Sequence, residues 1–224
     1  MKIAILKTSL LGLFVLVCLT GVFAQKAINE GVLNYDVSIL PGSNNAALVK
    51  SMEGASLTVS LKGELSKTEM VSSLGTESDT YDGRSGKGFI LKEYSGQKLM
   101  ITLTKDNWLN KNQNFQHLKF NIDNTVQTIA GYKCKKATAT MTDGRIFTLY
   151  FSTEYASANK TYNNAFPQLP GIPVQYEMES GKLTFRYALK NINYDPVPAA
   201  KFEIPKAGYR IMTYEENQQL KKGI

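Results

Sequence analysis

Imidazole and thiol groups are nearly missing from this sequence, whose 224 residues hold one histidine and two cysteines. A lone His117 cannot build a multi-histidine zinc site, and any Ser-His-Asp arrangement would have to rest on it. It sits in a strand-like stretch (QHLKF) with no nucleophile-elbow sequence to accompany it, so a structural histidine at or near the surface is expected. Cys18 falls within an N-terminal apolar run, which leaves Cys134 (GYKCKKA) without a partner for an internal disulfide. A nucleophilic Cys134 would need His117 beside it, whereas packing as a small strand residue is the ordinary role. Long apolar runs are scarce as well. After the first, none approaches the roughly 20 residues a bilayer helix needs. Lys133, Lys135 and Lys136, like Lys221 and Lys222, are scattered rather than interleaved with aromatics, which argues against nucleic-acid binding and for a solvated face.

What is present begins with Lys2 and Lys7, an apolar stretch Leu10 to Leu19, and Val22 and Ala24 at small-residue cleavage positions. That order is an export signal, with cleavage expected after Ala24. A retained membrane anchor would be too short, and acylation at Cys18 would want a small residue where Val17 stands. The expected division is residues 1–24 as signal peptide and 25–224 as one β-rich domain, exported to the periplasm or beyond the cell. Removing Lys2 and Lys7 leaves 24 basic side chains against 19 acidic ones, a mild formal +5. About 200 residues suffice for one well-buried core.

Period-two patterning dominates the remainder. Leu33, Tyr35, Val37 and Ile39 alternate with Asn34, Asp36 and Ser38, which sends the two sets to opposite sheet faces. Pro41 and Gly42 stop that strand, and Ser43 or Asn44 can cap a short helix through Met52 that Gly54 closes. Leu57, Val59 and Leu61 resume the alternation. Strands are expected over 64–74, 76–82, 88–94 and 97–104, punctuated by Lys62-Gly63, Asp82-Gly83 and Ser95-Gly96 turns. Asp106 to Asn114, around the single Trp108, reads as a loop or short helix, and His117 to Ile122 as a strand. A hairpin follows over Tyr132 to Thr142, Asp143-Gly144 and Arg145 to Thr153. Residues 154–165 read as an exposed crossing, Pro173 to Glu179 and Lys182 to Asn193 as two more strands, and Glu215 to Lys221 as a terminal helix. About ten strands joined by tight turns must curl, close or be covered. The expected fold is mainly β, a strongly curved antiparallel sheet or half-barrel with a few short helices against its concave side.

Other chemistry is weakly represented. Asp79/Asp82 and Glu177/Glu179 could be imagined as acid and base or as calcium ligands, but solvated carboxylates on a sheet are the usual finding. The glycines of DGRSGKG (Gly83, Gly86, Gly88) lack the helix that a phosphate-binding loop requires and suit a hairpin loop. No metal site, cofactor or catalytic set is expected.

Four stretches carry a resemblance: Ile129 to Ala137 (IAGYKCKKA), Tyr150 to Thr153, Phe166 to Pro173 (FPQLPGIP) and Phe202 to Pro205 (FEIP). In this order they resemble the GLPGLI-type family of exported Gram-negative envelope proteins, over about residues 125 to 210. Leu169, Pro170, Gly171 and Ile172 match the namesake element, with Gln168 where that family usually has glycine. The resemblance implies a fold related to the carriers of outer-membrane lipoproteins (LolA-like), a curved sheet around helices enclosing an apolar cavity, and no established catalytic residue. Within Leu169 to Pro173 the prolines fix φ and Gly171 permits backbone conformations that other residues resist, as a rigid corner would need.

The functional expectation is a non-enzymatic binder or carrier of a hydrophobic ligand, a lipid or an acylated protein, held in the sheet's concavity. Leu57, Val59, Met70, Ile101, Leu103, Phe147, Met178 and Phe185 are the candidate lining residues, as apolar strand positions. The alternative is an envelope interaction or scaffold protein with a filled interior, binding a protein partner through a sheet edge or the 154–165 segment.

Overall fold

The computed structural model of the chain describes residues 25–40, 46–141, 144–163, 165–180 and 183–222. The expected signal peptide, the Ser43 or Asn44 cap and Asp143 lie outside the described residues.

Strand β1 (Lys26–Ile28) leads into β2 (Glu30–Ile39), where Leu33, Tyr35 and Val37 are buried while Asp36 and Ser38 face solvent. Helix α1 (Ala46–Ser51) follows. Next come β3 (Ser56–Lys62), β4 (Leu65–Ser72), β5 (Gly75–Asp82), β6 (Lys87–Tyr94) and β7 (Gln97–Leu103), a run of antiparallel hairpins. Helices α2 (Lys105–Lys111) and α3 (Gln113–Gln116) precede β8 (Asn121–Ile129), β9 (Tyr132–Thr140) and β10 (Ile146–Ser152). After β11 (Tyr155–Ser157) come β12 (Pro173–Ser180), β13 (Leu183–Asn193), a 3₁₀ turn at Ala199–Phe202, β14 (Arg210–Thr213) and α4 (Tyr214–Lys222).

Twelve of these strands form one sheet in the order β14-β7-β6-β5-β4-β3-β2-β13-β12-β10-β9-β8. Strand β2 is its middle, with one arm running through β3 to β7 and the other from β13 to β8. Pairing is antiparallel except at the β14–β7 edge, and β1 with β11 makes a separate parallel pair. Five strand spacings separate β5 from β12, roughly 24 Å in a flat sheet. Yet Asp79 of β5 and Met178 of β12 line the same small hollow, with Lys111 of α2 between them. The sheet therefore bends around α2 and α3, as its strand count demanded.

Two cores fill the bend. The larger joins both arms through Leu33, Tyr35, Leu61, Leu149, Phe151, Phe166, Ile172 and Leu189, and the smaller gathers Tyr81, Ile90, Ile101, Leu103, Trp108 and Met212. Trp108 stacks on Tyr81 with ring centroids 4.4 Å apart. A capping box holds α2 in place, the Thr104 hydroxyl accepting from the Asn107 N–H and the Asn107 side chain accepting from the Thr104 N–H. Phe166, from the segment before β12, packs against Phe115, Phe120, Phe147 and Tyr176.

Four local expectations are corrected. His117 is not in a strand but caps the C-terminus of α3, and the strand proper runs from Asn121 to Ile129. The 154–165 segment is not an exposed crossing, since Ser157, Asn159 and Ala165 are buried and β11 pairs with β1. Asp82-Gly83 does not form a two-residue turn. Residues 83–86 connect β5 to β6, with Gly86 supplying the positive φ and the Asp82 carboxylate accepting from the Arg84 N–H. Ser95-Gly96 does form such a turn, with positive φ at both residues. Gly171 has no left-handed backbone. It is required because a Cβ there would sit 2.0 Å from the Ser152 carbonyl oxygen. Short strands such as β1 and β14, three and four residues long, were too brief to show a period.

Candidate ligand-binding groove

The eight apolar strand positions separate once folded. Leu57, Val59 and Met178 line the inner hollow beneath Trp108 and Tyr162, but its volume is only about 200 Å³. Ligand pockets run to roughly 300–1,000 Å³. Ile101 and Leu103 are sealed in the smaller core with Trp108, while Met70 and Phe185 pack, partly exposed, on the margin of the larger one. Phe147 and Met178 meet in a second cleft of about 550 Å³, walled by Phe115, Met141 and Ile146. The charged side chains of Arg145, Glu177 and Glu179 share its walls, and Arg145 and Glu179 form an ion pair.

A third concavity is larger and more apolar. It measures about 860 Å³ and lies over β8, β9 and β10, where Ile122, Val126, Phe151, Tyr155 and Pro170 give it an apolar lining. Phe151 and Val126 both pair with Lys135 in register, so the three occupy one face of the sheet, the face that carries the core residue Leu149. The groove is thus the inner face continued past Pro170, where the covering segment stops. Ile122 is 41% exposed and Val126 52% exposed.

Local bonding fixes its end wall. The Ser152 hydroxyl accepts from the backbone N–H groups of Glu154 and Tyr155, each at 3.1 Å. The Lys26 N–H donates to the Glu154 carbonyl at 2.7 Å, which locks β1 against β11. Thr153 donates to the Lys133 carbonyl through both its N–H and its hydroxyl. Lys26, Lys133 and Lys135 stand around the groove with a single acid, Glu154. Glu154 pairs with Lys133 at 3.2 Å, Lys26 Nζ lies 3.7 Å from the Tyr194 ring centroid, and Lys135 Nζ donates to Asn124 at 3.4 Å.

None of these positions is among the eight lining residues expected from the sequence, which reads Lys133 and Lys135 as a solvated face and Pro170 as part of a rigid corner. The available signals were Ile122 and Val126 among the polar residues 121–128, and lysines two apart at 133 and 135, which must share a sheet face. Elsewhere, Cys134 is fully buried and donates its thiol to the Tyr132 carbonyl at 3.3 Å, and burial pushes that thiol up to about 11. Such a thiol is held protonated and is a poor nucleophile. His117 is exposed at the end of α3.

No family model and no curated protein matches the chain. Among solved structures it is similar to PNGF-II, with a TM-score of 0.42 and 9% identity, over 85% of this chain and 32% of that one. It is also similar to MucB, with a TM-score of 0.36 and 12% identity, over 79% of this chain and 58% of that one. The chain thus spans less than two thirds of either, and likeness of this degree carries no argument about function.

Proposed function

We propose that this is an exported, non-enzymatic binding protein for a hydrophobic ligand, working in the periplasm after loss of residues 1–24. The observation that carries the reading is the groove of about 860 Å³, where the apolar inner face of the sheet runs out uncovered beside exposed Ile122 and Val126. Its volume lies within the range of ligand pockets, and continuous exposed apolar surface of this kind marks binding sites. Among the described residues no helix is long and apolar enough to cross a membrane. The thiol locked in its protonated form and the solvent-facing His117 favour binding over nucleophilic catalysis. The sequence resemblance to exported envelope proteins points the same way.

Native mass spectrometry of protein purified from a lipid-containing host tests the proposal. A bound adduct of lipid mass that delipidation removes is expected, and its absence under conditions that preserve the fold would sink the idea. The rival reading, an envelope interaction protein with a filled interior, draws support from the small inner hollow of about 200 Å³. It predicts no adduct and a protein partner recovered by crosslinking.

A further inference from the structure

The groove's charge distribution narrows the class of ligand, an inference that rests on the hydrophobic-ligand reading above. Three lysines and one carboxylate stand among its lining residues. The Lys133–Glu154 pair is solvent-exposed, 66% and 42% by side chain, so it adds little and is easily exchanged for a better partner. Lys26 and Lys135 have no carboxylate within ion-pair distance among the described residues. Lys26 rests on an aromatic face and Lys135 on an amide oxygen. A neutral apolar ligand would leave these ammonium groups unused at the rim. An extended peptide added to the free edge of β8 would meet the irregular register between Ile122 and Val126, a device that blunts edge pairing.

We propose that the groove binds one single-chain anionic amphiphile, its acyl chain over Ile122, Val126, Phe151 and Pro170 and its anionic head among Lys26, Lys133 and Lys135. Charge complementarity at the rim selects the head, and the apolar floor supplies area without selecting chain chemistry. The lysine stems can fold along the chain while their charged ends stay in water.

Titration calorimetry on the delipidated exported protein, with palmitate, hexadecanol and hexadecyltrimethylammonium as probes, tests this. Palmitate should bind one to one, with hexadecanol on the order of tenfold weaker and the cation weaker still. The double variant Lys26→Gln/Lys135→Gln should lower palmitate affinity to that of hexadecanol and leave hexadecanol unchanged. Val126→Asp should weaken both palmitate and hexadecanol. Melting temperatures for all variants guard against misfolding, and the changes at Lys26 and Lys135, neither of them buried, provide a readout even if Val126→Asp perturbs the strand. Equal binding of palmitate and hexadecanol, with the lysine variants silent, would overturn the anionic preference while leaving the hydrophobic-ligand reading intact. Failure of every amphiphile to bind would overturn both.

Discussion

Over β3, β12, β13 and the adjoining β10 the inner face of the sheet is covered by Trp108, Tyr162 and Phe166, whereas at Ile122 and Val126 of β8 the same face meets water. Both stretches are built by the same alternation of side chains, and both present apolar residues inward. What separates them is the path of the segment from Ala158 to Ile172, which covers one and ends at Pro170 beside the other. A sheet face becomes core or site according to whether a later part of the chain returns over it.

The sharpest way to break that comparison is to empty the covered half. Phe166→Ala removes a ring packed against four other aromatics and should cost about 3–5 kcal/mol in denaturant unfolding. A cost below about 1 kcal/mol would mean that the middle is no better sealed than the groove. Gly171→Ala tests the same cover from its other end. Its new methyl would have to displace the Ser152 carbonyl, which in turn accepts from the Gln25 side chain at the groove wall.

Next in size is the ion pair inside the bend. Lys111 of α2 and Asp79 of β5 are both largely buried and bonded to each other, and Asp79 Oδ1 has no hydrogen-bond partner among the described residues. Burial works against the Lys111 charge, but the Asp79 carboxylate outweighs it and the ammonium pKa is raised. Asp79→Asn should therefore cost about 3 kcal/mol by stranding a buried cation. Asp79→Leu combined with Lys111→Met should restore most of that loss. A double-mutant cycle measures both, and additive effects would show that the two side chains do not act as a pair.

How much of this could be read from the sequence follows from distance along the chain. The strands of the β3–β7 arm were legible because each hairpin is local, with alternation and turn residues such as Ser95-Gly96 side by side. Leu57 and Val59 were rightly sent inward, but nothing in their own strand states that Trp108 and Tyr162 arrive above them. The groove stayed hidden for the same reason. Its walls come from β1, β8, β9, β10 and β11, and its openness depends on where the 158–172 segment stops. His117 was misplaced because QHLKF alternates weakly over too few residues to distinguish a helix end from a strand start.

Alkaline pH should separate buried hydroxyls and thiols from exposed ones, with a smaller effect. The Cys134 thiol ionises near pH 8.5 when unfolded but is pushed up to about 11 in the fold, chiefly by burial. Between those values the unfolded state binds fewer protons, so stability should fall as pH rises across that window, on the order of 2–3 kcal/mol. Tyr35 and Tyr176 act in the same direction at higher pH. Burial, with the neighbouring tyrosines adding to it, holds both well above the usual range. Cys134→Ala should flatten the decline below about pH 10, and an unchanged slope would show that the thiol does not contribute.

The smallest expected effect lies at the open end. Val126→Ser should change unfolding free energy by no more than about 0.5 kcal/mol, since the residue is 52% exposed. Phe151→Ala, paired across Lys135 from the same position but only 2% exposed, should cost several times more. The contrast locates the boundary between core and groove within two strand spacings. Binding of an apolar fluorescent dye should show the opposite ranking for Val126→Ser, with a clear loss of signal despite unchanged stability. If Val126→Ser instead destabilises the protein and leaves dye binding intact, the uncovered face is a structural surface and the site lies elsewhere, with the Phe147–Met178 cleft the next place to test.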